Sequence, residues 1–222
     1  MTSAVLGCAA ALVAAFAWWR FQFFHRNPER RAPPGADPVC PADGRIIYVE
    51  DVDLTADVSN PYHERIRTAF AVEGPWTVVA TYLSIFDVHF VRSPIAGRVR
   101  LHHVAPVTSN RSMGGSFVYA ALRRPLPLGR RDYTEKNEFL GVSVEGDGLR
   151  ILLVLMADWW IDQIVTLVED GATVQRGQLL GKIQMGSQVD LWAPAGQLVG
   201  IVGPAAAVRA GETVIGVRRA ID

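Results

Sequence analysis

The chain has 222 residues, half of them apolar and a fifth charged, with 22 Lys and Arg balancing 22 Asp and Glu. Such a composition excludes a disordered chain, and zero net charge argues against nucleic-acid binding, which draws on a basic excess. Cys8 and Cys40 are the only cysteines, which excludes a disulfide framework and a four-cysteine zinc site.

Residues 4–19 carry no charge and as a helix would span about 24 Å; with their apolar flanks they approach the roughly 20 residues of a bilayer crossing. Trp18, Trp19, Phe21, Phe23 and Phe24 cluster at the end of this run, as an interfacial belt would. Arg20, Arg26, Arg30 and Arg31 follow, and the positive-inside rule then keeps the body on the cytoplasmic side of the cell membrane. Residues 1–31 are therefore expected to be an anchor, spanning or half-inserted, with a basic-aromatic flank. A cleaved signal peptide would place its charges ahead of the apolar run. The lipoprotein-like Val-Leu-Gly-Cys at 5–8 lacks that basic start, and a buried soluble helix is the other reading.

Residues 31–37 (RAPPGAD) have the composition of a linker, leaving 38–222 as the body. Within it, 45–50, 76–83, 97–104, 141–145 and 149–155 are expected strands, and 161–168 fits strand or helix. The fold class is mostly β, with α+β as the alternative. Residues 134–139 are too polar for core. Near the C-terminus, Val-Gln-Arg-Gly at 174–177 repeats as Val-Arg-Ala-Gly at 208–211. The pattern resembles the hairpins of biotinyl- and lipoyl-type barrel-sandwich domains. Those carry their prosthetic group on a hairpin-tip lysine. Lys182 lies in an apolar run and Lys136 outside the repeat, which argues against a carrier.

His25, His63, His89, His102 and His103 form no H-E-x-x-H or H-x-H pattern, so no metal is expected. There is no Walker loop, G-x-G-x-x-G or G-x-S-x-G, and Gly114-Gly115-Ser116 reads as a turn. Three segments stand out. Asp43-Gly44 in PADGR is by itself an ordinary acidic turn. His89 in FDVHFVRSP is by itself a satisfied core histidine. Gly186-Ser187 in MGSQVD is by itself a tight turn.

Together and in order, these segments resemble the phosphatidylserine decarboxylase family in its short form. FFHRNPER at 23–30 is similar to the family's segment after the anchor, and CPADGR at 40–45 to its S-P-A-D-G-R. YLSIFDVHFVRSPIAG at 82–97 is the closest match. TEKNE at 134–138 is similar to an N-E motif, and VEDGATVQRGQLLGKI at 168–183 leads into Gly186-Ser187.

The resemblance implies that the chain makes its own cofactor. Ser187 would attack the carbonyl of Gly186, and cleavage there would give chains 1–186 and 187–222 that remain associated. The smaller chain would be capped by a pyruvoyl group derived from Ser187, which forms a Schiff base with the substrate amine and takes the electrons left as CO2 departs. His89 would serve as base or proton donor, with Asp43 orienting its ring. The implied substrate is membrane phosphatidylserine, converted to phosphatidylethanolamine, and a homo-oligomer is open. Deleting residues 1–24 is expected to spare self-cleavage and reduce turnover on membranes.

The chain departs from the family pattern at Asp158, where Gly is usual, and at Asp162-Gln163, where a basic pair is usual. SFVYA at 116–120 stands in place of K-F-L-N-A. Decarboxylation of a different amino-acid-headgroup lipid, or a non-catalytic membrane adaptor, are the alternatives these departures leave.

Overall fold

Helix α1 (Thr2–Trp18) is rich in alanine and runs on through one π-helical turn, Trp19–Phe23. Val5–Phe23 is the one helix among the described residues that is long and apolar enough to cross a membrane, and none of it is buried against the body. The structure is a computed structural model that describes residues 2–56, 59–159, 164–183 and 187–219.

The body contains strands β1 (Gly44–Asp53), β2 (Pro75–Leu83), β3 (Phe90–Arg92), β4 (Gly97–Val104), β5 (Phe139–Gly146), β6 (Leu149–Ala157) and β7 (Ile164–Thr166). The later strands are β8 (Thr173–Val174), β9 (Leu179–Ile183), β10 (Ser187–Pro194), β11 (Leu198–Val199), β12 (Ala207–Val208) and β13 (Val217–Arg218). Helices α2 (Pro61–Phe70), α3 (Gly114–Ala121) and α4 (Asp132–Lys136) interrupt them.

Eight strands form one sheet in the order β12-β1-β2-β10-β6-β5-β4-β8, with a three-stranded sheet β3-β9-β7 and a two-stranded sheet β11-β13 beside it. The mostly β expectation holds. A closed barrel does not: β12 and β8 end the large sheet, and no pairing joins them among the described residues.

Side chains alternate across this sheet with period two. On β10, Val189, Leu191 and Ala193 enter one core with Leu83, Leu153 and Leu155. Trp192 enters the other, with Val78, Tyr82, Val154 and Met156. The second core is covered by α2, whose stripe Tyr62, Ile66 and Phe70 recurs at four-residue spacing. Asn60 caps that helix by accepting from Tyr62 N at 3.0 Å, Pro61 opens it, and Ala71 ends it in the left-handed region.

Two expectations are corrected here. Residues 134–139 are not peripheral: Thr134, Asn137 and Phe139 are buried. Asn137 is tolerated there because its amide oxygen accepts from Arg111 N and its Nδ2 donates to Arg111 O. Gly114-Gly115-Ser116 is the first turn of α3 rather than a free turn.

The weak C-terminal repeat is half of a two-fold arrangement. Gly44 pairs with Val208 and Arg45 with Ala207, just as Gly97 pairs with Val174 and Arg98 with Thr173. Val39 N donates to Pro94 O while Arg92 N donates to Pro41 O, and Gly211 N and Gly177 N donate to Cys40 O and Ser93 O. The segments before β1 and β4 thus hold each other reciprocally, and each takes one copy of the repeat.

Candidate active site

Ser187 opens β10 between the ends of β2 and β6, opposite Leu83 and Ala157. It is fully buried, and its Oγ has no hydrogen-bond partner among the described residues. An unpaired buried hydroxyl costs about 1–3 kcal/mol, so its retention asks for a chemical reason. Gly186, on the other side of the expected scissile bond, lies outside the described residues, as do Asp162 and Gln163.

His89 lies beyond the turn that follows β2. Asp87 shapes that turn by accepting from Ser84 N at 2.7 Å and Ser84 Oγ at 2.6 Å. His89 O accepts from Ile183 N at 3.0 Å, four residues ahead of Ser187 along the chain. The ring is fully buried, with Nδ1 3.0 Å from the Asp87 carbonyl oxygen. A carbonyl can only accept, which puts the proton on Nδ1 and leaves Nε2 a bare acceptor. Nε2 has no partner among the described residues either. Burial, with Arg26, Lys182 and His25 nearby, lowers the pKa to about 4, so the ring is neutral at neutral pH. The site therefore holds one orphaned hydroxyl donor, on Ser187, and one orphaned base.

No hydrogen bond joins Asp43 to His89 among the described residues. Asp43 Oδ2 accepts from Arg30 at 2.7 Å and Oδ1 from Ala210 N at 2.8 Å. Arg30 also reaches Glu212 at 2.7 Å. Asp43 thereby clamps the flank that follows the anchor, and the Asp87 carbonyl orients His89 in its place. PADGR looked like an orienting acid because a carboxylate beside a turn has the same signature in either role.

The flank itself reaches the site. Phe24 is fully buried against the His89 ring. Arg26 donates to Phe86 O at 2.5 Å, and Arg92 donates to Asn27 Oδ1 at 2.9 Å. His25 lies between Arg20 and Lys182, with Lys182 Nζ 2.5 Å from Nδ1; burial and these two cations lower its pKa. Residues 31–37 are less free than a linker, since Arg176 donates to Pro33 O and Asp37 O.

The opposite face of β10 carries a network that the sequence reading missed. Asp190 is fully buried and accepts from Tyr62 OH at 2.7 Å, Tyr48 OH at 2.9 Å and Gln188 Nε2 at 2.6 Å. Gln188 Oε1 accepts from Tyr133 OH at 2.5 Å, and Tyr133 OH accepts from Ser116 Oγ at 3.0 Å. Burial outweighs these donors and raises the Asp190 pKa to about 6. The available signal was Gln-x-Asp alternating with apolar residues at 188–190, facing tyrosines far away in sequence.

Asp158 is buried and used structurally. Its Oδ1 accepts from Met113 N at 3.1 Å and Trp159 N at 2.6 Å, tying the start of α3 to the end of β6.

Residues 18–216 match the family described as phosphatidylserine decarboxylase. Among similar curated proteins, the phosphatidylserine decarboxylase proenzyme of Symbiobacterium thermophilum is 34% identical over 95% of this chain and 83% of its own. The proenzyme of the same name from Erythrobacter litoralis is 33% identical over 93% of this chain and 81% of its own. That of Nitratidesulfovibrio vulgaris is 32% identical over 97% and 86%.

Proposed function

Because the chain belongs to the phosphatidylserine decarboxylase family, we propose that it is made as a proenzyme, cleaves itself ahead of Ser187 and decarboxylates phosphatidylserine to phosphatidylethanolamine and CO2. The observation that carries this reading is that Ser187 Oγ and His89 Nε2 are each buried without a hydrogen-bond partner among the described residues. A serine that is only structural would be hydrogen-bonded.

In this reading Ser187 Oγ gives its proton to His89 Nε2 and attacks the Gly186 carbonyl carbon. The amide C–N bond breaks as the ester forms. Loss of the Ser187 Cα proton then breaks the Cβ–Oγ bond and releases residues 1–186 with a new carboxylate. Water displaces the nitrogen as ammonia and leaves a pyruvoyl group on the 36-residue chain 187–222. That group supplies an electron sink for the pair left behind when CO2 departs. His89, fixed by the Asp87 carbonyl with its proton on Nδ1, would first take up a proton at Nε2, as from the substrate ammonium, and then pass it to the substrate carbon.

The two products stay together in this account because β10 belongs to the smaller chain while both its neighbours, β2 and β6, belong to the larger. In this reading the body lies on the cytoplasmic side, which the basic flank supports through the positive-inside rule. The two-fold pairing around Gly44 and Gly97 supports kinship with barrel-sandwich hairpins. Lys182 lies within β9 opposite Phe90, away from any hairpin tip, so no carrier role follows. Gel analysis of Ser187→Ala and His89→Ala tests the assignment. Ser187→Ala should remain one chain and His89→Ala should mature slowly or not at all. A normal two-chain product from Ser187→Ala would refute the site.

A further inference from the structure

The large sheet has two chemically different ends. Ser187 marks one, with Leu83 and Ala157 beside it. At that end the chain leaves β2 through Ile85 and Phe86, exposed by 39% and 59%, and leaves β6 through Trp159, exposed by 53%. Helix α3 is fixed to the same end by the Asp158–Met113 hydrogen bond and exposes Phe117, Val118 and Leu122. Exposed Arg123 and Arg124 follow directly. The opposite end, at the turns after β1, before β2 and between β5 and β6, exposes Asp53, Glu73 and Asp147.

Six large apolar side chains on three separate segments are more than scattered surface hydrophobics. Between two of them, Phe86 and Phe117, lies a cavity of about 320 Å³ whose wall also includes Arg45, Ser84 and Asp87. Apolar tips around a hollow of mixed lining that holds both Arg45 and Asp87, with Arg123 and Arg124 exposed beside them, match the layering of a bilayer interface. The anchor helix arrives at this same end, where Arg26 holds Phe86 O and Phe24 covers His89.

We propose that this rim is a second, body-borne contact with an anionic lipid bilayer, seating the Ser187 end of the sheet at headgroup depth independently of the anchor. The anchor then confines the molecule to the membrane, and the rim sets its orientation, so that a lipid headgroup reaches the buried site without leaving the bilayer. This inference rests on the lipid-decarboxylase reading.

The test uses the full chain in a Cys8→Ser background, since Cys40 is buried and Cys8 exposed. A single environment-sensitive label is placed at Leu122→Cys, or at the exposed control Val217→Cys, and the protein is bound to vesicles of phosphatidylcholine and phosphatidylglycerol. The label at 122 should shift to shorter wavelength and be quenched by spin-labelled lipid, while that at 217 stays aqueous. An aqueous label at 122 on vesicle-bound protein would overturn the proposal, including in favour of a protein partner for the rim. In parallel, the triple variant F86S/F117S/L122S should still cleave itself but lose at least tenfold in turnover on vesicles. Unchanged vesicle turnover would count against the rim. Failure of the parent chain to cleave would instead count against the decarboxylase reading and leave the labelling result to judge the rim.

Discussion

The Phe24 ring centroid lies 4.3 Å from that of His89, with the planes tilted by 36°. The anchor flank thus supplies part of the wall that keeps water from the base. The groups facing His89 are the Asp87 carbonyl, which favours the charged ring, and Arg26, Lys182 and His25, which oppose it together with burial. Self-cleavage should therefore hold its rate from neutral pH downward and decline only as the pH nears about 4. Phe24→Ser admits water, and the acid limb should move up toward the ordinary histidine value. Time courses on gels across pH check this, and an unmoved limb would remove Phe24 from the role. The same contact changes the expectation for truncation. A deletion through residue 24 takes away part of the site, so a clean separation of anchor from catalysis must stop short of Phe24.

Asp190 gives a stability prediction with a definite sign. Its pKa is raised by folding to about 6. Its contribution is fully present below the unfolded value near 4 and is lost as pH rises through about 6. Asp190→Asn should abolish that decline, seen as a pH-dependent difference in urea midpoint between parent and variant. His89, with its pKa lowered, has the opposite slope over the same range, so the difference curve rather than the parent curve is diagnostic. Asp190→Ala, which removes the acceptor of three buried hydrogen bonds, should cost about 3 kcal/mol or more.

Asp43 contacts Arg30 and Ala210 N. Asp43→Asn should therefore self-cleave at close to the parent rate, whereas an orienting acid of a Ser-His-Asp set would be indispensable. Asp43→Ala should lower stability by about 3 kcal/mol, because the largely buried Arg30 loses its buried partner and keeps only the half-buried Glu212. Cleavage time courses and urea titration separate the two effects.

The two-fold arrangement is tested at its glycines. A Cβ on Gly44, whose φ is +146°, would lie 2.1 Å from Tyr82 O, and one on Gly97 would lie 2.4 Å from Glu145 O. Backbone atoms cannot yield as a side-chain tip would. Gly44→Ala and Gly97→Ala should each destabilise by about 3 kcal/mol or more, measured as loss of soluble, cleavable protein and a lowered urea midpoint.

Strands β1, β2, β4, β5 and β6 were legible because alternation and turn residues are local, whereas β10 was not, since its Gly-Ser start reads as a turn. Helix α2 also had local signals, Asn60-Pro61 and the 62/66/70 stripe, masked by its charged outer face. Helix α3 had none, since two glycines open it and its start is fixed by Asp158, 45 residues away. Within the site, Ser187 and His89 were marked by motif. What sequence could not give was the partner of each polar group. Asp43 found Arg30, and Asp190 found tyrosines more than a hundred residues distant.

The most direct measurement is the intact mass of the purified full chain under denaturing conditions, with and without borohydride. The account requires two chains, 1–186 and 187–222, with a reducible carbonyl at the start of the smaller. A single uncut chain carrying an unmodified Ser187 would contradict it.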